Sequence, residues 1–482
     1  MNERLVLVGY GMTGHRLLTA LRTAGGLHGR QVTVLAEETR PAYDRVRLSE
    51  CLRGTRPERL LLDDVTPGGD GAGVRVHLGD PVVAVDRAGR LVTTASGRTL
   101  GYDVLVLATG SRPFVPEVPG AGAQGCFGYR TVEDAEAIRA RASRARTAAV
   151  VGGGLLGLEA AGALRALVPD THIVEFAPWL MHRQLDEQGG RTLRRHIEDL
   201  GVTVHTGTRV TQVTTDEHGR ASGLRLATPD GDPLPGVDAD LVVFAAGVRP
   251  RDELARACGL VVGPGGGIVV DESCRTSDPR VHAIGECALT PDGRVHALAA
   301  PGFAMADVVA DRLLGTAAAF TGADTSTSLK LLDVAVASFG DALGETPGTH
   351  EVRYLDTAAG VYRNLRVGDD GRLLGGVLVG DSSGYAALRS LTGAGVPGAS
   401  SAGDLVVPGP AGAAVAGRMP DDATACFCHN VSVGTVRRAA AADGRPDLDG
   451  VRRRTRAGTG CGSCVPALAS LIDEQLTAHD HG

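Results

Sequence analysis

Four cysteines stand in the C-terminal stretch of the chain as two pairs, Cys426-x-Cys428 and Cys461-x-x-Cys464, with 32 residues between the pairs. Each spacing puts two soft thiolates on one tight turn, so the quartet has the donor set for a metal centre. Spacing alone fits a structural zinc in a thiolate tetrahedron as well as a 2Fe-2S cluster. Glycines 458, 460 and 462 surround the second pair, where backbone N–H groups can point at the sulfurs and tune a redox centre.

Two glycine signatures lie far upstream. The apolar run RLVLV meets Gly9-Tyr-Gly11-Met-Thr-Gly14, followed by a helical stretch (HRLLTALRTAG) and a second strand, QVTVLAEE. Strand, glycine turn, helix and strand form the setting in which G-x-G-x-x-G binds a dinucleotide. Gly9 allows the tight turn, Gly11 lets backbone approach a pyrophosphate, and Gly14 lets helix and strand pack closely. The helix then turns its free N–H groups towards the phosphates, and Glu37 ends the second strand where a carboxylate can accept ribose hydroxyls. The pattern returns 143 residues later. TAAVV runs into Gly152-Gly-Gly154-Leu-Leu-Gly157, a helix follows, and the strand THIVEF closes on Glu175. Such a carboxylate favours NADH, because it repels the extra phosphate of NADPH.

Two dinucleotides in front of a thiolate quartet suggest one kind of chemistry. A nicotinamide delivers a hydride, an iron–sulfur cluster accepts single electrons, and a flavin can do both. An upstream electron source makes the cluster reading preferable to zinc. Two further apolar strands end in small residues, at Ala108-Thr109-Gly110 and at Ala245-Ala246-Gly247, where backbone can pass close to a cofactor. A third, VHAIGECA, ends at Gly285-Glu286.

The elements that must position these residues suit a chain of 482 residues divided into three or four compact units. Apolar content is 43% and charged content 22%, ordinary for a globular protein, and the net charge of −7 disfavours a nucleic-acid partner. No run is long and apolar enough to span a bilayer, and MNERLVLVGYGMTG lacks the parts of a secretory signal. A cytoplasmic protein without a membrane partner is expected. Of the nine cysteines, Cys51, Cys126, Cys258, Cys274 and Cys287 are scattered and read as small buried apolar residues. No C-x-x-C or C-x4-C pair precedes residue 400, so disulfide-reductase chemistry is disfavoured. Lys330 is the only lysine, which leaves no other residue for a lysine-based mechanism.

From residue 328 the text changes to short strands (SLKLLDVAVASFGD, EVRYLD, GVYRNLRVG, RLLGGVLVGD) and a helix, YAALRSLTGAG. Residues 393–423 are rich in Gly, Ala, Pro and Ser, as in a linker, though DLVVP within them reads as a short docking strand. Beyond it come two helices, one capped by Ser432 or Thr435 and one with Pro466 near its start. The run Arg452, Arg453, Arg454 and Arg456 reads as a solvated face or as a docking patch for an acidic partner.

The segments PAYDRVRLSE, YDVLVLATGSRP, VVGGGLLGLEAA, VEFAPWLMHRQLD and KLLDVAVASFGD resemble the N-terminal half of the NAD(P)H-dependent nitrite reductase large subunit family. They equally resemble the electron-transfer subunit of bacterial assimilatory nitrate reductase. CFCHNVSVGTVRRA and TRAGTGCGSCVP resemble the bacterioferritin-associated ferredoxin domain that those proteins carry. The resemblance implies an α/β two-dinucleotide flavoprotein reductase of glutathione-reductase type with two Rossmann-type domains. It adds a small α+β domain and a small helical 2Fe-2S domain. It divides the chain into an FAD-binding domain (1–118 and 246–318), an NAD-binding domain (119–245), a small domain (319–395), a linker (396–422) and the cluster domain (423–482).

By position, the resemblance assigns Gly9, Gly11, Gly14, Glu37, Arg45, Ser49, Ala108, Thr109, Gly110, Gly285 and Glu286 to FAD, with Glu286 towards the ribityl chain. It assigns Gly152, Gly154, Gly157, Glu175 and Gly247 to NAD, Glu159 to the neighbourhood of the nicotinamide, and Cys426, Cys428, Cys461 and Cys464 to the cluster. The nitrite reductase large subunit continues into a sirohaem half, whereas this sequence stops at Gly482. The terminal reductase is therefore expected on a separate polypeptide, a molybdenum nitrate reductase or a sirohaem nitrite reductase. The alternatives are a self-contained NADH:ferredoxin or rubredoxin reductase, and a module that docks on an iron-storage shell.

Overall fold

The computed structural model describes residues 3–63, 65, 73–322, 324–331, 334–393, 402–408, 419, 421, 423–426, 431–442, 447–458 and 464–480. These fall into two compact units. One holds residues 1–46, 56–113 and 248–323; the other holds 47–55, 114–247 and 324–482.

The first unit is built on a five-stranded parallel sheet. Its strand order is Val281–Ala283, Val104–Leu107, Glu3–Val8, Arg30–Leu35 and Val74–His77. The inner strands are short and mostly apolar because both faces of such a sheet are covered: Leu5, Leu7, Val34 and Leu105 are all buried. Helices Met12–Thr23 and Ala299–Leu313 pack together in the same core. Strands Val82–Asp86, Leu91–Thr94 and Thr99–Gly101 add an antiparallel layer.

The second unit repeats the plan. Its parallel sheet runs Val202–His205, Asp170–Val174, Thr147–Val151, Leu241–Phe244 and Cys126–Gly128, with an antiparallel sheet of Arg209–Thr215, Ala221–Ala227 and Pro233–Asp238. Helix Leu155–Arg165 leaves the central strand. The unit also holds an antiparallel five-stranded sheet, in the order Thr327–Leu331, Val334–Gly340, Leu373–Val379, Val361–Gly368 and Thr349–Asp356. Asp186 ties this sheet to the nucleotide fold. One carboxylate oxygen caps helix Glu187–Asp199 through the Gly189 amide (2.9 Å), and the other accepts from Tyr362 Oη and Asn364 Nδ2, both at 2.7 Å.

The expected strand at DLVVP is corrected. Residues Ala402–Val406 form a short helix whose Leu405 and Val406 are buried with Phe339, Leu365 and Leu378. The apolar residues dock as foreseen, but they reach the sheet from a helical face. Most of the surrounding linker lies outside the described residues.

The tail has its own small core. A hairpin of Thr424–Cys426 and Val431–Ser432 and helices Val433–Ala441, Leu448–Thr455 and Val465–Asp480 enclose it. Ser432 is the cap of the first of these helices, accepting from the Thr435 amide at 3.2 Å.

Candidate dinucleotide and cluster sites

Both glycine turns adopt the conformation that their chemistry needs. Gly9 and Gly152 have φ of +104° and +119°, a region that strains any residue with a Cβ. Each also lies against a neighbouring strand end. A Cβ on Gly9 would fall 2.1 Å from the Ala108 carbonyl oxygen, and one on Gly152 would fall 2.4 Å from that of Ala245. The third glycines are equally closed: a Cβ on Gly14 or Gly157 would lie 2.5 or 2.0 Å from the carbonyl of Gly9 or Gly152. The middle glycines are the opposite case. Gly11 and Gly154 have no heavy atom within 4 Å of a built Cβ. Each is the N-cap of its helix, and neither helix has a side-chain cap. Open space in front of unbonded N–H groups is the cradle a pyrophosphate requires, so both turns fit a dinucleotide.

Around the first cradle the structure gathers most residues assigned to it. Thr109 Oγ1 donates to the Arg251 carbonyl at 2.7 Å, and the Arg251 amide donates to the Gly110 carbonyl at 2.9 Å. The Glu286 carboxylate accepts from Ser111 Oγ at 2.6 Å. Gly285, at φ +77°, brings this turn against helix Met12–Thr23, where its Cβ would lie 3.0 Å from Thr13 Oγ1. Arg45 forms an ion pair with Glu38 at 2.6 Å and stacks on the Tyr43 ring at 4.8 Å. Burial opposes the Arg45 charge, but Tyr43, Glu38 and Glu286 outweigh it and raise its proton affinity. Glu37 is exposed just past strand Arg30–Leu35 and pairs with Arg251. Ser49 is buried on helix Leu48–Leu52, which belongs to the second unit. Sequence reasoning had no signal for Arg251, Glu38 or Ser111, because their partners lie far off in the chain or depend on side-chain direction.

The second cradle handles its carboxylate differently. Glu175 is buried, and its two oxygens accept from the amides of Gly153 (2.5 Å) and Ala177 (2.7 Å). The carboxylate thus braces the glycine turn itself. Gly247, at φ +111°, lies three residues beyond the neighbouring strand Leu241–Phe244, with open space around a built Cβ. Glu159 lies on helix Leu155–Arg165. Burial raises its pKa to about 7, against the opposing pull of Arg53.

In the tail, Cys426 and Cys464 are both buried and share one core with Val436, Val451 and Leu468. Cys428 and Cys461, with Gly460 and Gly462, lie outside the described residues. Two soft donors enclosed in one small core suit a thiolate-ligated centre. Arg453 and Arg454 are exposed on helix Leu448–Thr455, while Arg452 pairs with Asp449 at 3.2 Å. The upstream cysteines are a different population. Burial pushes Cys126 to about 11 and Cys274 to about 12, and also raises Cys258 and Cys287. These four thiols stay protonated near neutrality, and the thiolate is the nucleophile. Among the described residues, no helix is long and apolar enough to cross a membrane.

A family model described as pyridine nucleotide-disulphide oxidoreductase matches residues 3–306. The chain belongs to that family. A rubredoxin NAD+ reductase C-terminal domain matches residues 326–394, and a BFD-like 2Fe-2S binding domain matches residues 424–474. This pyridine nucleotide-disulphide oxidoreductase is 43% identical over 479 residues to the nitrite reductase (NADH) large subunit of Escherichia coli strain K12, covering 98% of the chain and 56% of that protein. It is 32% identical over 482 residues to the assimilatory nitrate reductase electron transfer subunit of Bacillus subtilis strain 168, covering 98% and 59%. The chain therefore spans little more than half the length of these relatives. Among solved structures, the ferredoxin reductase for the CYP199A2 system of Rhodopseudomonas palustris superimposes with a TM-score of 0.71 at 28% identity, covering 82% of this chain and 96% of that one. The two-dinucleotide reductase fold, the flavin- and nicotinamide-linked oxidoreductase class and the 2Fe-2S tail are thus shown.

Proposed function

We propose that the chain oxidises NADH and delivers the electrons, through FAD and a 2Fe-2S cluster, to a nitrite- or nitrate-reducing centre on a partner polypeptide. One conjunction carries this reading: two open pyrophosphate cradles in a chain whose tail encloses cysteines in a 2Fe-2S-type domain. When bound, the three groups together would supply the conversion of one hydride into two single electrons and a proton.

The residues have distinct tasks. Gly11 and the N-terminus of helix Met12–Thr23 receive the pyrophosphate of FAD, while Glu37 meets its ribose and Glu286, steadied by Ser111, meets its ribityl chain. Gly154 and helix Leu155–Arg165 receive NADH, with Gly247 leaving room beside it. Glu175 holds the turn and presents negative charge where the phosphate of NADPH would sit. Glu159 holds a proton near neutral pH. Cys426, Cys428, Cys461 and Cys464 ligate the iron.

The nitrite and nitrate assignment comes from the names of the relatives in Escherichia coli and Bacillus subtilis. A stand-alone ferredoxin or rubredoxin reductase is the second reading, favoured by the rubredoxin-reductase domain at residues 326–394. Purified full chain should contain flavin, and iron and acid-labile sulfide in equal amounts. It should reduce ferricyanide with NADH and support nitrite or nitrate reduction when mixed with the separate reductase. Cys426→Ser should keep NADH-dependent flavin bleaching and lose electron delivery to that partner. Zinc in place of iron overturns the cluster. Turnover with free ferredoxin but not with a nitrite or nitrate reductase selects the second reading.

A further inference from the structure

Two imidazoles meet on the second parallel sheet, outside the chemistry assigned so far. Strand Val202–His205 is the edge of that sheet, and its register on Asp170–Val174 sets His205 against Val174. Side chains two apart on a strand share a face, so His172 and His205 lie on the same side of the sheet. Their rings are within 18° of parallel with centres 5.4 Å apart, and His172 Nδ1 lies 3.1 Å from His205 Nε2. With nitrogens that close and centres that far apart, the rings meet edge to edge along one N···N line. His172 Nε2 lies 3.0 Å from Asp170 Oδ1, and the other oxygen of that carboxylate accepts from Thr147 Oγ1 at 3.1 Å. The result is an unbroken chain of contacts from carboxylate to imidazole to imidazole.

The partners dictate where the protons sit. An ionised carboxylate only accepts, so His172 Nε2 donates to Asp170. Nδ1 of the neutral ring is then an acceptor, and His205 Nε2 donates to it. One added proton fits this chain. The bridging proton passes to His172 Nδ1, the added proton settles on His205 Nδ1, and an imidazolium lies between Asp170 and a neutral His205. A second proton does not fit, because two donors and two cations would then face each other across 3.1 Å. Burial, then His172 and Arg194, lower the proton affinity of half-buried His205, and Glu198 opposes them. Arg194 and Glu198 come from helix Glu187–Asp199, which packs on the edge strand, and they pair with each other at 2.8 Å. The fold therefore favours neutral His205. That stability is present above about pH 6.5 and is lost as pH falls through the lower folded value.

We propose that Asp170, His172 and His205 form a one-proton clasp for the edge strand, and that a second proton opens it and loosens the nucleotide turn beside it. The route is short. The His205 carbonyl accepts from the Glu175 amide at 2.8 Å, and the Glu175 carbonyl accepts from the Thr208 amide at 3.0 Å. Glu175 in turn holds the Gly153 amide with its carboxylate. The link to the nucleotide rests on the proposed NADH site; the clasp itself does not.

The test is an NMR pH titration of the imidazole nitrogens in the full chain, labelled at histidine and without nucleotide. His172→Gln and His205→Gln identify the two rings among the 14 histidines. In the parent protein the first proton should move the His205 hydrogen from Nε2 to Nδ1, and the second should enter in a separate, more acidic step. His172→Gln should raise the His205 midpoint by about half a pH unit, about a threefold change in proton affinity. An unmoved midpoint, or a His205 tautomer that stays the same until the ring is charged, overturns the clasp. If His172→Gln does not fold, Asp170→Asn supplies the comparison: it should delay the first step to lower pH, and an unchanged first step is equally fatal. Calorimetric titration with NAD+, which leaves a bound flavin oxidised, reads the consequence. Affinity should weaken between about pH 7 and about pH 5, and about threefold less in His205→Gln than in the parent. Equal weakening in both removes the link to the nucleotide turn. A parent protein that binds no NAD+ defeats the functional reading but leaves the NMR test of the clasp intact.

Discussion

The two glycine turns share a sequence pattern but use their acidic residues in different ways. In the first unit Glu37 is exposed and meets Arg251, while the rim around it is laced by Glu38–Arg45 and Ser111–Glu286. In the second unit Glu175 is buried and spends both oxygens on backbone amides of its own turn. The first site is thus braced by side chains around a cradle, as suits a resident cofactor. The second cradle is braced from beneath by one carboxylate and leaves fewer groups at its rim, as suits a nucleotide that comes and goes.

The strongest way to break this comparison is to close each cradle in turn. Gly152→Ala sets a Cβ 2.4 Å from the Ala245 carbonyl at a φ only glycine tolerates well. Strain of about 3 kcal/mol should cost about a hundredfold or more in NADH turnover, while flavin absorbance is retained. Gly9→Ala, with its Cβ 2.1 Å from the Ala108 carbonyl, should instead give protein without flavin. If Gly152→Ala loses flavin as well, the two sites are not independent.

Glu159→Gln asks whether the second unit carries a pH-dependent term. The folded pKa of about 7 stands above the ordinary carboxyl value of 4.5. The folded protein therefore holds a proton that the unfolded chain releases. That stability is fully present below the unfolded value and is lost as pH rises through about 7. Parent protein should be less stable than Glu159→Gln on the alkaline side by about 3 kcal/mol, with the gap closing in acid. Urea unfolding at about pH 5 and about pH 8 measures it, and a pH-independent gap would refute the shift.

The smallest effects separate the two acidic residues directly. Glu175→Ala strands two buried amides and should cost about 2 kcal/mol or more of stability, besides narrowing the preference for NADH over NADPH. Glu37→Ala breaks an exposed ion pair and should cost under about 1 kcal/mol, showing up in flavin affinity rather than in unfolding. Equal costs for the two variants in chemical denaturation would erase the contrast.

Much of this architecture was legible in the sequence because its signals are local. The central strands Glu3–Val8 and Thr147–Val151 are largely apolar runs, and each stops at the glycine turn that the pattern marks. Ser432 stands where a helix cap belongs. What was not legible depends on direction and distance. Nothing in THIVEF says that Glu175 folds back on Gly153, or in GVRPRDE that Arg251 reaches Glu37. The β-branched pair in DLVVP suggests a strand, yet burial of Leu405 and Val406 is achieved from a helix, because tertiary packing outweighs a weak local preference.

Asp186 joins segments that are made at different times. The carboxylate that starts helix Glu187–Asp199 also waits for Tyr362 and Asn364, which leave the ribosome 176 and 178 residues later. Until then the nascent nucleotide fold presents a half-satisfied acid at its surface, and the later sheet acts as a latch. Damage to that sheet in the finished protein, by nicking or by substitution, reopens the latch and is felt in a helix of the second nucleotide fold.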